Sequence, residues 1–93
     1  MDQHAAQCAA TATRLQTEAH RHAQELSAIF KRTAAALESS AVLAEEHARR
    51  QERNGRGDAA AEERQAANRA RQGAERARSR AEEWLELLKE REI

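Results

Sequence analysis

The five-residue segment Asn54-Gly55-Arg56-Gly57-Asp58 is the only strong break in this 93-residue chain, which contains no proline. Because asparagine and glycine adopt positive φ at low cost, a helix can end here and the chain can reverse its direction. Asp58 is suited to the N-cap of a following helix, where its carboxylate accepts hydrogen bonds from free backbone N–H groups. We therefore predict an all-α helical hairpin forming a single domain over residues 1–93, with its turn at residues 54–57.

The segment before the turn has the pattern of one long amphipathic helix, over about residues 3–53. At 100° per residue the apolar positions fall on one face, with spacings of three and four: Cys8, Ala12, Leu15, Ala19, Ala23, Leu26, Phe30, Ala34, Leu37, Ala41, Ala44 and Ala48. Ser39 and Ser40 compete for backbone hydrogen bonds, so a break near residue 39 is the alternative. The apolar face continues on both sides of the two serines, which favours an unbroken helix.

A second apolar row lies beside the first and consists of Ile29, Ala36 and Leu43, seven residues apart. It makes the apolar arc wider than contact with one neighbouring helix requires. We therefore expect the first helix to have two helical neighbours, of which the second helix supplies only one.

The segment after the turn, about residues 58–91, has a stricter coiled-coil-like spacing in which alanine predominates. Its repeating positions are Ala60, Glu63, Ala67, Ala70, Ala74, Ala77, Ala81, Trp84 and Leu88. Alanine at these positions allows two helix backbones to approach closely, and Gly73 lies at the margin of the same face. Because both helices rise equally from the turn, residue i should lie near about residue 111 − i. Phe30 then faces Ala81, and Leu37 faces Ala74.

The same register leaves residues 1–18 without a neighbouring helix. A thin alanine hairpin of this size buries little apolar surface by itself. We therefore predict self-association, most simply of two hairpins into a dimeric antiparallel four-helix bundle. The predicted interface comprises Cys8, Ala12, Leu15, Ile29, Leu43, Trp84, Leu85 and Leu88.

The sequence contains no arrangement typical of an enzyme or a cofactor site. One cysteine cannot form an internal disulfide or a cysteine-based zinc site. His4 and Cys8, four residues apart, could chelate an ion, and surface or seam positions explain the four histidines. Gly-rich phosphate loops, nucleophile elbows and paired catalytic carboxylates are missing. We predict a protein that is not an enzyme and binds no metal or cofactor.

Charge points to an alternative function. The formal net charge is zero, so the chain has no global attraction for nucleic acid or an anionic membrane. Arg49, Arg50, Arg53 and Arg56 surround the turn, however, and could contact phosphate. Nucleic-acid binding by a basic turn is therefore an alternative, although base-stacking aromatic residues are missing. The sequence has neither a signal-peptide pattern nor a transmembrane span, which favours a cytoplasmic protein and leaves signal-less secretion open.

In outline the chain resembles the WXG100 family of small secreted helical hairpins, which have a similar length, two helices and a dimeric state. The resemblance covers shape alone. The family's Trp-x-Gly turn is replaced here by Asn54-Gly55-Arg56-Gly57, Trp84 lies near the far end of the second helix, and the family's C-terminal secretion signal is not recognisable. The resemblance implies a small secreted partner protein. The main functional prediction is a self-associating helical hairpin that acts as a protein interaction or scaffold module.

Overall fold

The structure of the protein, a computed structural model, describes residues 2–91. Helix α1 comprises Asp2–Arg53 and helix α2 comprises Gly57–Arg91. The two helices pack against each other as an antiparallel hairpin, which confirms the predicted two-helix fold. Helix α1 continues through Ser39 and Ser40 without interruption. The molecule is a rod with extents of 81 × 16 × 12 Å.

The C-terminus of α1 ends in a Schellman motif centred on Gly55. This glycine has a φ of 76°, in the left-handed region that residues with a Cβ atom adopt at a cost. The N–H of Arg56 donates to the carbonyl of Gln51 at 2.8 Å, and the N–H of Gly55 donates to the carbonyl of Glu52 at 3.0 Å. These two hydrogen bonds satisfy carbonyls that the end of the helix leaves without intrahelical partners.

Helix α2 begins one residue earlier than the sequence predicts, so the N-cap is not Asp58. The N–H of Ala60 donates to the carbonyl of Arg56 at 3.0 Å, which makes Arg56 the capping residue and Gly57 the first residue of α2. Arg56 therefore belongs both to the Schellman motif that ends α1 and to the cap that begins α2. Asp58 lies inside the first turn of α2, where its negative charge interacts favourably with the positive end of the helix dipole.

Small residues at seven-residue intervals form the contact between the helices, here called the alanine seam. On α1 it consists of Ser27, Ala34, Ala41 and Ala48, and on α2 of Ala60, Ala67, Ala74 and Ala81, all of them buried. A side chain of one carbon atom lets the helix backbones approach closely. Stability along the seam therefore depends on close packing rather than on large buried side chains.

Larger side chains lie at the border of the seam, in the predicted register. Phe30 and Leu37 pack against a buried cluster formed by Ala34, Ala74 and Ala77. Leu37 also explains the mid-helix glycine at position 73. A Cβ atom added to Gly73 would lie 3.1 Å from Cδ1 of Leu37, closer than ordinary van der Waals contact.

Ser27 is a buried polar residue that the sequence analysis did not single out. Its side chain is 2 % exposed, and its hydroxyl donates a hydrogen bond to the carbonyl of Ala81 across the seam at 3.1 Å. The hydroxyl is satisfied, so the serine is compatible with a buried position. Its spacing of seven residues from Ala34 is the sequence feature that could have indicated its burial.

Candidate interaction surface

A ladder of ion pairs joins the two helices along one edge of the hairpin. Each rung joins a glutamate of α1 to an arginine of α2, and successive rungs are seven residues apart: Glu52 with Arg64, Glu45 with Arg71, and Glu38 with Arg78. In the third rung, Nη2 of Arg78 lies 2.6 Å from Oε1 of Glu38. These pairs were not predicted from the sequence. The seven-residue spacing shared by the glutamates and the arginines is the pattern that could have identified them.

The ladder alters the acid–base properties of its members. The hydrogen bond from Arg71 lowers the pKa of Glu45, and the hydrogen bond from Arg64 lowers the pKa of Glu52. In return, these glutamates raise the pKa values of Arg71 and Arg64. A carboxylate with a depressed pKa stabilises the folded state above its unfolded pKa, and this contribution is lost as the pH falls through the folded value.

The opposite edge of the hairpin has few charges. Helical periodicity places Thr33, Ser40 and His47 of α1 there. On α2 the corresponding positions are Ala59, Ala66 and Gly73, which are half-buried. Along the half of the hairpin nearest the turn this edge consists mainly of small or uncharged side chains, with the half-buried Glu63 as an exception.

Exposed apolar side chains on α1 lie beside this edge. Leu15, Ile29 and Leu43 are 59 %, 47 % and 58 % exposed, and they lie fourteen residues apart on one face. His22 and Ala36 occupy the intervening positions. We call these five residues the outer row of α1. At 100° per residue, the outer row lies about 160° around the helix from the alanine seam.

The structure distributes the predicted interface residues over three environments. Leu88 is 6 % exposed and belongs to the core of the hairpin, so it is not available to another chain. Trp84 and Leu85 are half-buried, whereas Cys8 and Ala12 are exposed. The eight residues therefore do not form one surface. Those that remain accessible lie mainly on α1.

Residues 2–18 of α1 project beyond α2, and every one of them is exposed. We call this segment the overhang. It contains Cys8, whose Sγ lies 3.9 Å from Nε2 of His4 one helical turn away. Within residues 2–91 no group of three or more potential metal-ligating side chains is assembled. The overhang is thus an isolated helix with an apolar side.

The arginines at the turn are accessible, and acidic residues lie near them in the sequence. Arg49, Arg50, Arg53 and Arg56 are exposed, and in the described part of the chain none of them lies within ion-pair distance of a carboxylate. Residues 45–64 nevertheless contain five arginines and six acidic residues. Glu45, Glu46, Glu52, Asp58, Glu62 and Glu63 thus lie near the arginines, and nucleic-acid binding at the turn stays a prediction.

Comparison with known proteins gives no relative. No protein-family model, curated protein or solved structure matches the chain. Neither of the two described helices has a stretch long and apolar enough to cross a lipid bilayer.

Proposed function

We propose that the protein is a non-enzymatic helical hairpin whose function is to self-associate and, as an assembly, to serve as a protein interaction or scaffold module. The observation that carries the proposal is the outer row of α1. Three large aliphatic side chains lie in line on one face of a helix that is otherwise rich in charge. Aligned exposed apolar side chains are typical of a helix–helix interface.

The exposed area of the chain supports association. A globular monomer of 10.4 kDa exposes about 5,400 Å² of surface. This chain exposes 7278 Å². The excess of roughly 1,900 Å² is more than twice the area of about 800 Å² that each partner contributes to a stable interface. One dimer interface can therefore be formed while surface remains for a further partner.

The position of the outer row leaves it clear of α2. Ile29, Ala36 and Leu43 are each two positions from a seam residue, so the row lies about 160° around α1 from the alanine seam. A second helix can therefore pack on α1 without displacing α2. In the proposed dimer, α1 contacts α2 through the seam and a second copy of the hairpin through the outer row. The overhang gains a neighbouring helix in the same step.

Charge substitution in the outer row tests the proposal. Ile29→Glu places a charge at the middle of the row, where burial against a second copy would desolvate it. We expect the variant to be monomeric in sedimentation equilibrium at concentrations where the wild type is a dimer. Asn68→Glu is the matched control, because Asn68 is exposed on α2 away from the row. Equal association of wild type and Ile29→Glu would exclude the outer row as the interface.

Nucleic-acid binding at the turn is the second candidate, favoured by the exposure of four arginines without carboxylate partners. Replacement of Arg49, Arg50, Arg53 and Arg56 by alanine should abolish salt-dependent binding to a DNA or RNA duplex if this candidate is correct. The six acidic residues in the same segment oppose it. Equal retention of duplex by wild type and the fourfold variant, or no retention of either, would eliminate it.

A further inference from the structure

We infer that the second copy packs with its α1 antiparallel to the first α1, in the register that places residue i opposite about residue 55 − i of the other copy. This inference rests on the proposed self-association and specifies its geometry. It follows from three features of α1: the composition of the surface beside the outer row, the sizes of the side chains that meet, and the charges at the border.

A second line of residues, the inner row, lies between the outer row and the alanine seam. It is formed by Ala12, Ala19, Leu26, Thr33, Ser40 and His47, at seven-residue intervals. Together the two rows give alternating spacings of three and four, which is the pattern of a coiled-coil interface. From Ala12 to His47 neither row contains aspartate, glutamate, lysine or arginine. The surface is therefore long enough for an extended helix contact and requires no buried charge.

The alternation of the two rows permits antiparallel registers that differ by seven residues. In antiparallel packing, an inner-row residue meets an outer-row residue of the other helix, as the two lines of the hairpin contact do. In the inferred register Leu26 meets Ile29 of the second copy, and Ala12 meets Leu43 of the second copy. Large side chains at the centre and large-on-small contacts towards the ends fill such an interface without voids.

The charges at the border select one register. Glu25 and Arg32 are exposed and precede inner-row residues by one position. In the inferred register each Glu25 lies beside Arg32 of the second copy, and the two-fold symmetry produces this pair twice. Side chains on antiparallel helices slope towards their own N-termini, so these two point towards each other. A shift of seven residues in one direction brings Arg32 beside Arg32 of the second copy, and Glu18 beside Glu46. A shift in the other direction pairs Glu18 with Arg32 but brings Glu25 beside Glu25 of the second copy. The inferred register alone has attractive pairs without a repulsive one.

The same register covers the overhang. Residues 2–18 come to lie along residues 37–53 of the α1 of the second copy. Cys8 of one copy then faces His47 of the other, at both ends of the dimer. A helix segment that has no neighbour in the isolated hairpin is thus packed against a helix along its whole length.

Charge reversal at the border tests the register. Glu25→Arg should weaken the dimer roughly tenfold to thirtyfold at low salt, because two attractive pairs become repulsive. Arg32→Glu should weaken it similarly, and the double variant Glu25→Arg, Arg32→Glu should restore wild-type affinity. Glu75→Arg is the control, since it makes the same change of charge at an exposed position of α2. Failure of the double variant to restore a dimer that each single variant weakens would overturn the inferred register.

Disulfide trapping provides an independent measurement. His47→Cys in the chain that retains Cys8 should give a covalent dimer under mild oxidation, with two interchain bonds per dimer. Asn68→Cys, with Cys8 also present, should not give this product. A wild type that remains monomeric at all concentrations refutes the proposed self-association itself. A wild-type dimer that is trapped equally by both cysteine variants, or by neither, refutes only the register.

Discussion

Enlargement of the alanine seam should destabilise the hairpin, and Ala67→Leu is the most informative change. Ala67 is 1 % exposed and lies in the middle of the seam. Leucine adds three carbon atoms where the facing positions are also filled by small buried residues such as Ala41. The helices must then move apart or the side chain must adopt a strained rotamer. Overpacking of this kind costs about 1–3 kcal/mol.

The assay is urea denaturation followed by circular dichroism, at one fixed protein concentration because association contributes to apparent stability. Ala61→Leu is the matched control, since Ala61 is exposed on α2 and leucine is nearly as good a helix former as alanine. Ala67→Leu should lower the free energy of unfolding by about 1–3 kcal/mol. The control should change it by less than about 0.5 kcal/mol. If Ala67→Leu is as stable as Ala61→Leu, the helices do not pack closely along the seam.

Three further predictions concern the seam and its border. As the pH falls below about 4.5, the wild type should lose more stability than the Glu45→Gln, Glu52→Gln variant. The reason is that the two carboxylates, whose pKa values are depressed in the folded state, contribute to stability only while they are ionised. Urea titrations at pH 3 to 7 measure this difference, and identical pH profiles would contradict the role of the ladder. Gly73→Ala should stabilise the hairpin by about 1 kcal/mol in a Leu37→Ala background and by less in the wild type. The difference arises because the added methyl group contacts Leu37. If the effects of the two substitutions on thermal unfolding are additive, that contact is refuted. Ser27→Ala should change the free energy of unfolding by less than about 1 kcal/mol. The substitution removes the hydroxyl donor together with its hydrogen bond to the carbonyl of Ala81, so no buried donor remains unpaired. A larger loss of stability in denaturant titration would indicate a structural role for the hydroxyl.

The hairpin was predictable because its determinants are local. Gly55 marks the end of α1, and the spacing of the alanines defines the seam. The predicted N-cap at Asp58 was wrong because the Schellman motif extends to Arg56, and that residue then caps α2 directly. A short turn in which one residue serves both helices is not visible in the preferences of single residues.

The ion-pair ladder was not predicted, for a geometric reason. Glu45 lies level with about residue 66 in the register of the seam, yet its partner is Arg71, about five residues further from the turn. Both side chains slope towards the N-termini of their own helices, and antiparallel packing turns these slopes towards each other. Pairing the residues that lie at the same height along the two helices therefore does not identify any of the three ion pairs. Leu88 was included in the predicted interface, but it is buried on the inner side of α2.

The molar mass of the wild-type chain in solution tests the central claim most directly. Light scattering across a dilution series should give twice the 10.4 kDa of one chain at high concentration, with a fall towards the single-chain value on dilution. A mass of 10.4 kDa at every concentration, from a chain that is fully helical and unfolds cooperatively, would contradict the account. The outer row of α1 would then not mediate self-association.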